Sequence, residues 1–243
     1  MMRSLAIPLF VAIQFNPLFA IAGSTVHGAG PVLRTPLVIE AIRGIRVTGE
    51  IDVEIKQAPV QSVLVEAQAN LVPLLMTTVR NGVWTIDTGD KQYSTSERFV
   101  VHISVPTLEH ITSDGPASIL CAGTFTTNAF EVVSTGNGSV SITIAANRIT
   151  LLNDGPGAIT VGGTCAELKA TARDSGPIRV HALSCGSAMA KIDGNGDIIL
   201  GPTDRMVVAI TGSGDVILTG KVAEVASEID GPGRVRYATA TPD

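Results

Sequence analysis

A column of polar residues, spaced at nearly equal intervals along the second half of the chain, could carry chemistry. Each member stands five positions before an Ile or Val that closes a recurring glycine-rich phrase. Aspartates alternate in it with threonines or an arginine. If the fold stacks these positions, they would form a strip of charge on one surface. In chain order the members are Asp114, Thr135, Asp154, Arg173, Asp193, Thr211 and Asp230.

Three kinds of chemistry fit this column. Asp and Thr side chains cap backbone N–H groups of glycine turns, which would make the column structural. Alternatively, Asp114, Asp154, Arg173, Asp193 and Asp230 could bind a calcium ion, a carbohydrate or a cationic ligand. Catalysis is the third alternative, because carboxylates two repeats apart would be separated by about 9 Å, as in inverting glycosidases. The repeats are too short to build the walls of a catalytic groove, so we expect no enzyme.

Other catalytic and cofactor motifs are missing from the sequence. We find no nucleophile elbow, no phosphate-binding loop, no metalloprotease helix motif and no cysteine pair at zinc spacing, and we expect no cofactor. Trp84 follows a predicted hairpin turn and is expected to be a core or cap residue rather than a sugar platform. The histidines are scattered and are expected to be ordinary surface residues; they are His27, His102, His110 and His181.

Two of the three cysteines are separated by about one repeat. Cys165 and Cys185 lie 20 positions apart, so they could stack on neighbouring turns and form a disulfide. Their positions relative to the repeat differ by one residue, and the alternative is that both are small buried side chains. Cys121 is expected to belong to the core.

The column belongs to a repeat that defines the architecture. The phrase typified by Ser-Asp-Gly-Pro-Ala-Ser-Ile recurs at intervals of 21, 19, 19, 20, 18 and 19 residues. Around each closing residue, apolar positions alternate with period two, which indicates β-strands on both sides of a glycine turn. No room remains for a crossover helix, so each repeat is expected to form one turn of a parallel β-solenoid. The closing residues are Ile119, Val140, Ile159, Ile178, Ile198, Val216 and Val235.

The rest of the chain is expected to complete one domain over 40–237. Residues 40–110 are strand-like but irregular and should cap the solenoid, whereas 111–237 hold the seven repeats. Asn81 and Gly82, between two apolar runs, predict a two-residue hairpin turn. Residues 23–39 are expected to be a leader segment of the mature chain and 238–243 a tail. Such a short tail would leave a sheet edge open for self-association.

The first 22 residues are typical of a signal peptide. Arg3 precedes an apolar segment that ends in Ala20-Ile21-Ala22, a small-x-small cleavage pattern. We therefore expect an exported protein, periplasmic, secreted or at the cell surface, with no transmembrane segment in the mature chain. The chain has 17 basic and 22 acidic residues and a net charge of −5. This balance provides no basic face for nucleic acid.

Several segments resemble the bacterial head GIN domain, also called the putative auto-transporter adhesin domain. The resemblance covers roughly residues 40–237 and implies a right-handed β-helical fold in an exported cell-envelope protein. It implies no catalytic residues, and the adhesin function is inferred by analogy. This chain differs from the usual family phrase in having Asp-Gly-Pro at 114–116, 154–156 and 230–232. The segments are GIRVTGEIDVEIKQ (44–57), VLVEA (63–67), NLVPLL (70–75), TVRNGVWTI (78–86) and GSGDVILTG (212–220).

Together these features predict an all-β protein, a right-handed parallel β-solenoid that binds or supports an envelope surface without catalysis. The expected partner is a polysaccharide or an envelope or protein surface. The alternative is a carbohydrate-active enzyme, a polysaccharide lyase or hydrolase built on the same fold.

Overall fold

The computed structural model describes residues 25–238, where it contains twenty strands, one 3-10 turn at Val72–Leu74 and no α-helix. The predicted signal peptide, 1–22, lies outside the described residues. The strands are β1 (Val26–His27), β2 (Val32–Leu37), β3 (Gly44–Val47), β4 (Asp52–Gln57), β5 (Ser62–Gln68), β6 (Val79–Arg80), β7 (Val83–Ile86), β8 (Tyr93–Ser94), β9 (Val100–Val105), β10 (His110–Ser113), β11 (Ser118–Ser134), β12 (Ser139–Asn153), β13 (Ile159–Ala172), β14 (Ile178–Val180), β15 (Leu183–Ile192), β16 (Ile198–Leu200), β17 (Thr203–Ile210), β18 (Val216–Leu218), β19 (Val222–Ile229) and β20 (Val235–Tyr237).

Each turn of the molecule places one strand before its glycine-rich phrase and one strand after it. The strands before the phrase pair in parallel as the pre-turn wall, and those after it pair as the post-turn wall. Ser113 pairs with Ser134, 21 positions later, and Ile192 pairs with Ile210, 18 positions later. The predicted parallel β-solenoid is confirmed. The pre-turn wall runs β7, β3, β10, the second halves of β11, β12 and β13, then β15, β17 and β19; the post-turn wall runs β9, β4, the first parts of β11, β12 and β13, then β14, β16, β18 and β20.

The core consists of stacked aliphatic side chains between the walls. Six of the seven residues that close the phrases are buried, as the period-two pattern predicts, and Val235, in the last turn, is partly buried. One column of inward-facing residues on the pre-turn wall changes polarity along the solenoid axis. It is apolar at Val47, polar at Ser113, Ser134 and Asn153, and aliphatic again in the later turns. The Asn153 amide compensates for part of its burial by donating a hydrogen bond to the Gly157 carbonyl at 2.7 Å.

The N-terminal part caps the solenoid in an order that differs from chain order. The turn formed by β7 and β9 lies outside the turn formed by β3 and β4, although it comes later in the sequence. The hairpin predicted at Asn81 and Gly82 is present, with φ of 52° and 76°, and joins β6 to β7. Trp84 on β7 is fully buried and donates to the Met76 carbonyl at 2.8 Å, as expected of a cap residue.

The sheet extends further toward the N-terminus than the boundary at residue 40 that the repeat suggests. Strand β2 pairs antiparallel with β5, and β5 pairs antiparallel with β9. Strand β1 pairs with β8. Much of segment 23–39 is therefore part of the folded cap. The weak alternation of β2, in which Pro36 interrupts the apolar pattern, hides this strand from sequence analysis.

The C-terminal turn lacks a covering layer among the described residues. Strands β19 and β20 each pair with only one neighbour, β17 and β18. Val225 and Ile229, which continue inward columns, are both 42% exposed as a result. Self-association through this edge stays a prediction. Between residues 25 and 238, no helix is long and apolar enough to cross a bilayer.

Candidate functional site

The predicted polar column forms a continuous corner, which we call the corner column, where the pre-turn wall meets the glycine phrase. Each member donates its backbone N–H to a carbonyl of the preceding turn. Thr135 donates to Ser113 at 2.9 Å, for example, and Asp154 to Ser134 at 2.7 Å. The sequence interval therefore does place these residues on successive turns, about 4.8 Å apart.

The side chains of the corner column pair with each other and with nearby cations. The Arg46 guanidinium donates to the Asp114 carboxylate at 2.6 Å, and the Thr135 hydroxyl donates to the same carboxylate at 2.8 Å. The Arg173 guanidinium lies 3.8 Å from the Asp154 carboxylate and partly neutralises its charge. Each pairing reduces the charge left for a ligand.

Turn capping is carried out by a different column from the one we expected. Asp197 accepts a hydrogen bond from the backbone N–H of Asp215 at 2.8 Å, and Asp215 accepts one from Arg234 at 3.0 Å. Asp52 does the same for Ser118 at 2.8 Å. These aspartates stand at the start of the post-turn strands. Asp197 and Asp215 each precede the residue that they cap by one repeat, and this spacing was the signal that could have revealed them. Asp52 and Ser118 are 66 positions apart, so no repeat spacing indicated that pair.

Asp193 has the wrong ionisation behaviour for a glycosidase acid. The Lys191 ammonium at 2.9 Å, helped by a hydrogen bond from the Thr211 hydroxyl at 3.0 Å, holds the pKa of this carboxyl below its usual range. A general acid needs a raised pKa, so that it still carries its proton near neutral pH. The carboxylate and its two partners resemble a surface ion-pair network more than a catalytic pair.

A shallow trough, absent from the sequence predictions, crosses the outer face of the pre-turn wall. Three adjoining depressions of about 510, 300 and 360 Å³ form it, and Arg148 lines all three. The trough extends from Glu109 to Val207 over six turns, or roughly 24 Å. Its floor combines hydroxyl, amide and charged groups, and it ends at the exposed apolar side chains of Met189 and Val207. None of the corner-column residues lines it.

Ion pairs between successive turns organise this face. Arg148 contacts Glu167 at 3.0 Å, and Arg205 contacts Glu224 at 3.4 Å in the same column. In both pairs the glutamate follows the arginine by 19 residues, one repeat. Opposite charges at the repeat interval were therefore the signal in the sequence for this surface.

A second cluster that sequence analysis missed surrounds His102 on β9. Its two ring nitrogens lie 3.1 Å from Glu54 and 3.0 Å from Glu66, and a doubly protonated ring can donate to both carboxylates. Arg34 also contacts Glu66, at 2.8 Å. The cluster forms because β4, β9, β5 and β2 lie side by side, an order that antiparallel pairing in the cap creates.

We expect Glu66 to make folding sensitive to acid. Hydrogen bonds from Arg34 and His102 lower the pKa of this carboxyl, so the stabilisation it provides is complete above its ordinary pKa of 4.5 and is lost as the pH falls through the lowered value. Urea unfolding of Glu66→Gln should show a loss on the order of 1 kcal/mol at pH 7 that shrinks by pH 3. Glu224→Gln, in an exposed pair, is the control; an equal pH-dependent difference there would contradict this assignment.

The cysteines lie where the repeat suggested, and all three are free thiols in the described structure. Cys165 and Cys185 are directly paired across β13 and β15. The one-residue offset expected from the sequence is removed because the turn at His181 and Ala182 absorbs the extra residue. Cys121 is buried, and burial raises the pKa of its thiol to about 12. No group of three or more His, Cys, Asp or Glu side chains arranged to hold a metal occurs in residues 25–238.

Solved structures share this fold. A crystal structure described as a putative adhesin from Bacteroides fragilis NCTC 9343 is 19% identical, with a TM-score of 0.81, and covers 88% of this chain and 100% of its own. One described in the same words from Parabacteroides merdae ATCC 43184 is 20% identical, with a TM-score of 0.68, over 88% of this chain and 99% of its own. A structure described as a putative lipid binding protein from Parabacteroides distasonis ATCC 8503 is 19% identical, with a TM-score of 0.71, over 89% of this chain and 100% of its own.

Family comparison agrees with the motifs in the sequence. No curated protein sequence matches the chain. The model of one family, described as "Putative auto-transporter adhesin, head GIN domain", matches residues 42–222. That segment holds most of the chain, including the trough and all but the last strand of each wall, and the protein therefore belongs to the head GIN domain family.

Proposed function

We propose that this protein is an exported, non-enzymatic binding protein that attaches to an extended polysaccharide of a cell envelope through the trough. The observation that carries the proposal is the continuity of the trough, whose three depressions share Arg148 and cross six turns. A long shallow surface of this kind suits a polymer held at many points. The adhesin description of the family supports attachment to a surface and export.

The groups along the trough suit a hydroxyl-rich ligand. Asn128 and Thr150 offer amide and hydroxyl groups, while Arg148 and Glu167 provide a charge-assisted donor and acceptor. The apolar end can pack against the less polar face of a sugar ring. Side chains on a stacked sheet are held by their neighbours, so little flexibility is lost on binding.

The enzyme alternative has less support. The paired carboxylates of the corner column are occupied by Arg173 and Lys191, and the lowered pKa of Asp193 opposes a role as general acid. The described structure offers depressions along a wall instead of a deep cleft that would exclude water from a reacting bond.

Replacing Arg148 should weaken binding strongly. Co-sedimentation of the purified chain with a panel of envelope and plant polysaccharides would give the Kd. We expect Arg148→Ala to raise it at least tenfold, since Arg148 lines all three depressions. Arg205→Ala is the matched control, because it breaks an equivalent ion pair outside the trough, and it should change Kd less than twofold.

The same assay separates the alternatives. Weakening by Asp193→Asn, with Arg148→Ala silent, would place the ligand on the corner column. Release of reducing sugar ends into the supernatant would indicate an enzyme. No binding to any polysaccharide, together with capture by phospholipid vesicles, would contradict the proposal in favour of a lipid ligand.

A further inference from the structure

Cys165 and Cys185 are positioned so that a disulfide bond between them could link neighbouring turns. Cys165 and Cys185 occupy opposite positions on the parallel strands β13 and β15. Neighbouring strands lie about 4.8 Å apart, which is inside the range of Cα separations that a disulfide spans.

Reagents from solution can reach Cys165. Both cysteines line a depression of about 500 Å³, together with Ser184, Asp204 and Lys221. Cys165 is half-buried, whereas Cys185, on the neighbouring strand, is buried. This depression lies apart from the trough, and it shares no lining residue with it.

The two thiols differ in reactivity. Interaction with the Cys185 thiol lowers the pKa of Cys165, and the same interaction together with burial raises the pKa of Cys185. Since the thiolate is the nucleophile in disulfide chemistry and Cys165 is the more exposed of the two residues, Cys165 is the attacking member and Cys185 the resolving one. Cys121 is buried in the core, where burial raises the pKa of its thiol to about 12, and it lines no part of this depression.

We propose that Cys165 and Cys185 form a thiol–disulfide exchange pair that takes small disulfides as oxidants. The Cys165 thiolate attacks one sulfur of the disulfide, the disulfide bond breaks and one thiolate leaves. The Cys185 thiol then gives its proton to solvent and attacks Cys165, which releases the second thiolate. Two protein thiols are oxidised to one disulfide, and one small disulfide is reduced to two thiols. The product links two neighbouring turns covalently.

Intact mass measurement with oxidised glutathione tests the proposal. The reduced wild-type chain should lose two hydrogen atoms, and peptide mapping should join Cys165 to Cys185. Cys185→Ser should stop at a stable glutathione adduct on Cys165. Cys165→Ser should be modified at least tenfold more slowly, whereas Cys121→Ser should behave like the wild type.

The wild-type result stands without any variant, so a variant that misfolds leaves the test intact. Three free thiols after prolonged exposure, or a disulfide that includes Cys121, would overturn the proposal. So would Cys165→Ser reacting as fast as Cys185→Ser in chains whose far-ultraviolet circular dichroism matches the wild type. Thermal unfolding gives a second readout, because the oxidised wild type should melt at a higher temperature than the reduced protein.

Discussion

Replacing Gly155 with alanine is expected to lower the free energy of unfolding by about 3 kcal/mol. A Cβ at this position would lie 2.5 Å from the Thr135 carbonyl oxygen and 2.6 Å from that of Gly136. These are backbone atoms of the preceding turn and cannot rotate away, so neighbouring turns would have to separate. Gly155 does not have a positive φ, and the cost therefore arises from the close stacking of turns.

Gly49 provides the matched control for Gly155. It stands at the equivalent position of the turn between β3 and β4, where the nearest atom to an added Cβ is the Asp87 carboxylate oxygen at 3.7 Å. Gly49→Ala should change stability by less than about 0.5 kcal/mol. Urea unfolding monitored by circular dichroism gives both values. Equal losses of stability at the two positions would show that the close approach of neighbouring turns is not what excludes a side chain at Gly155.

Trp84→Ala is expected to lower the free energy of unfolding by about 4 kcal/mol. The indole is fully buried in the N-terminal cap, and its removal leaves a cavity as well as an unpaired Met76 carbonyl. Trp84→Phe should recover most of the packing but not the hydrogen bond, so its loss should be intermediate. Tyr237→Ala is the control, because this aromatic side chain is 62% exposed.

The fluorescence of Trp84 also tests whether the cap and the repeats unfold together. Trp84 is the only tryptophan, so in the Gly155→Ala protein its fluorescence reports on the cap while circular dichroism reports on all strands. Coincident transitions would indicate one cooperative unit. A cap transition that stays unchanged while the repeats unfold earlier would indicate turns that unfold separately, as in other repeat proteins. A small loss in Trp84→Ala would contradict a structural role for the indole.

The parts of the structure that depend on local patterns could be predicted from the residues alone. Alternation around each Ile or Val indicates strands with one buried face, and a repeat of 18 to 21 residues indicates that each turn stacks on the one before. The hairpin at Asn81 and Gly82 follows from residues that tolerate positive φ. The stacking of the corner column follows from the repeat interval, and the family motifs are visible in the sequence directly.

Contacts between side chains of different turns, in contrast, depend on how the strands pair and could not be predicted from local patterns. The cap places β7 and β9 outside the earlier turn of β3 and β4, so His102 lies between Glu54 and Glu66. A single extra residue near His181 brings Cys165 and Cys185 into register. The charge of side chains one turn away decides whether an aspartate pairs with a neighbouring cation or stays free for a ligand. The size of those side chains decides where depressions such as the trough form in the wall. Strand pairing sets those neighbours, and local sequence patterns do not specify it.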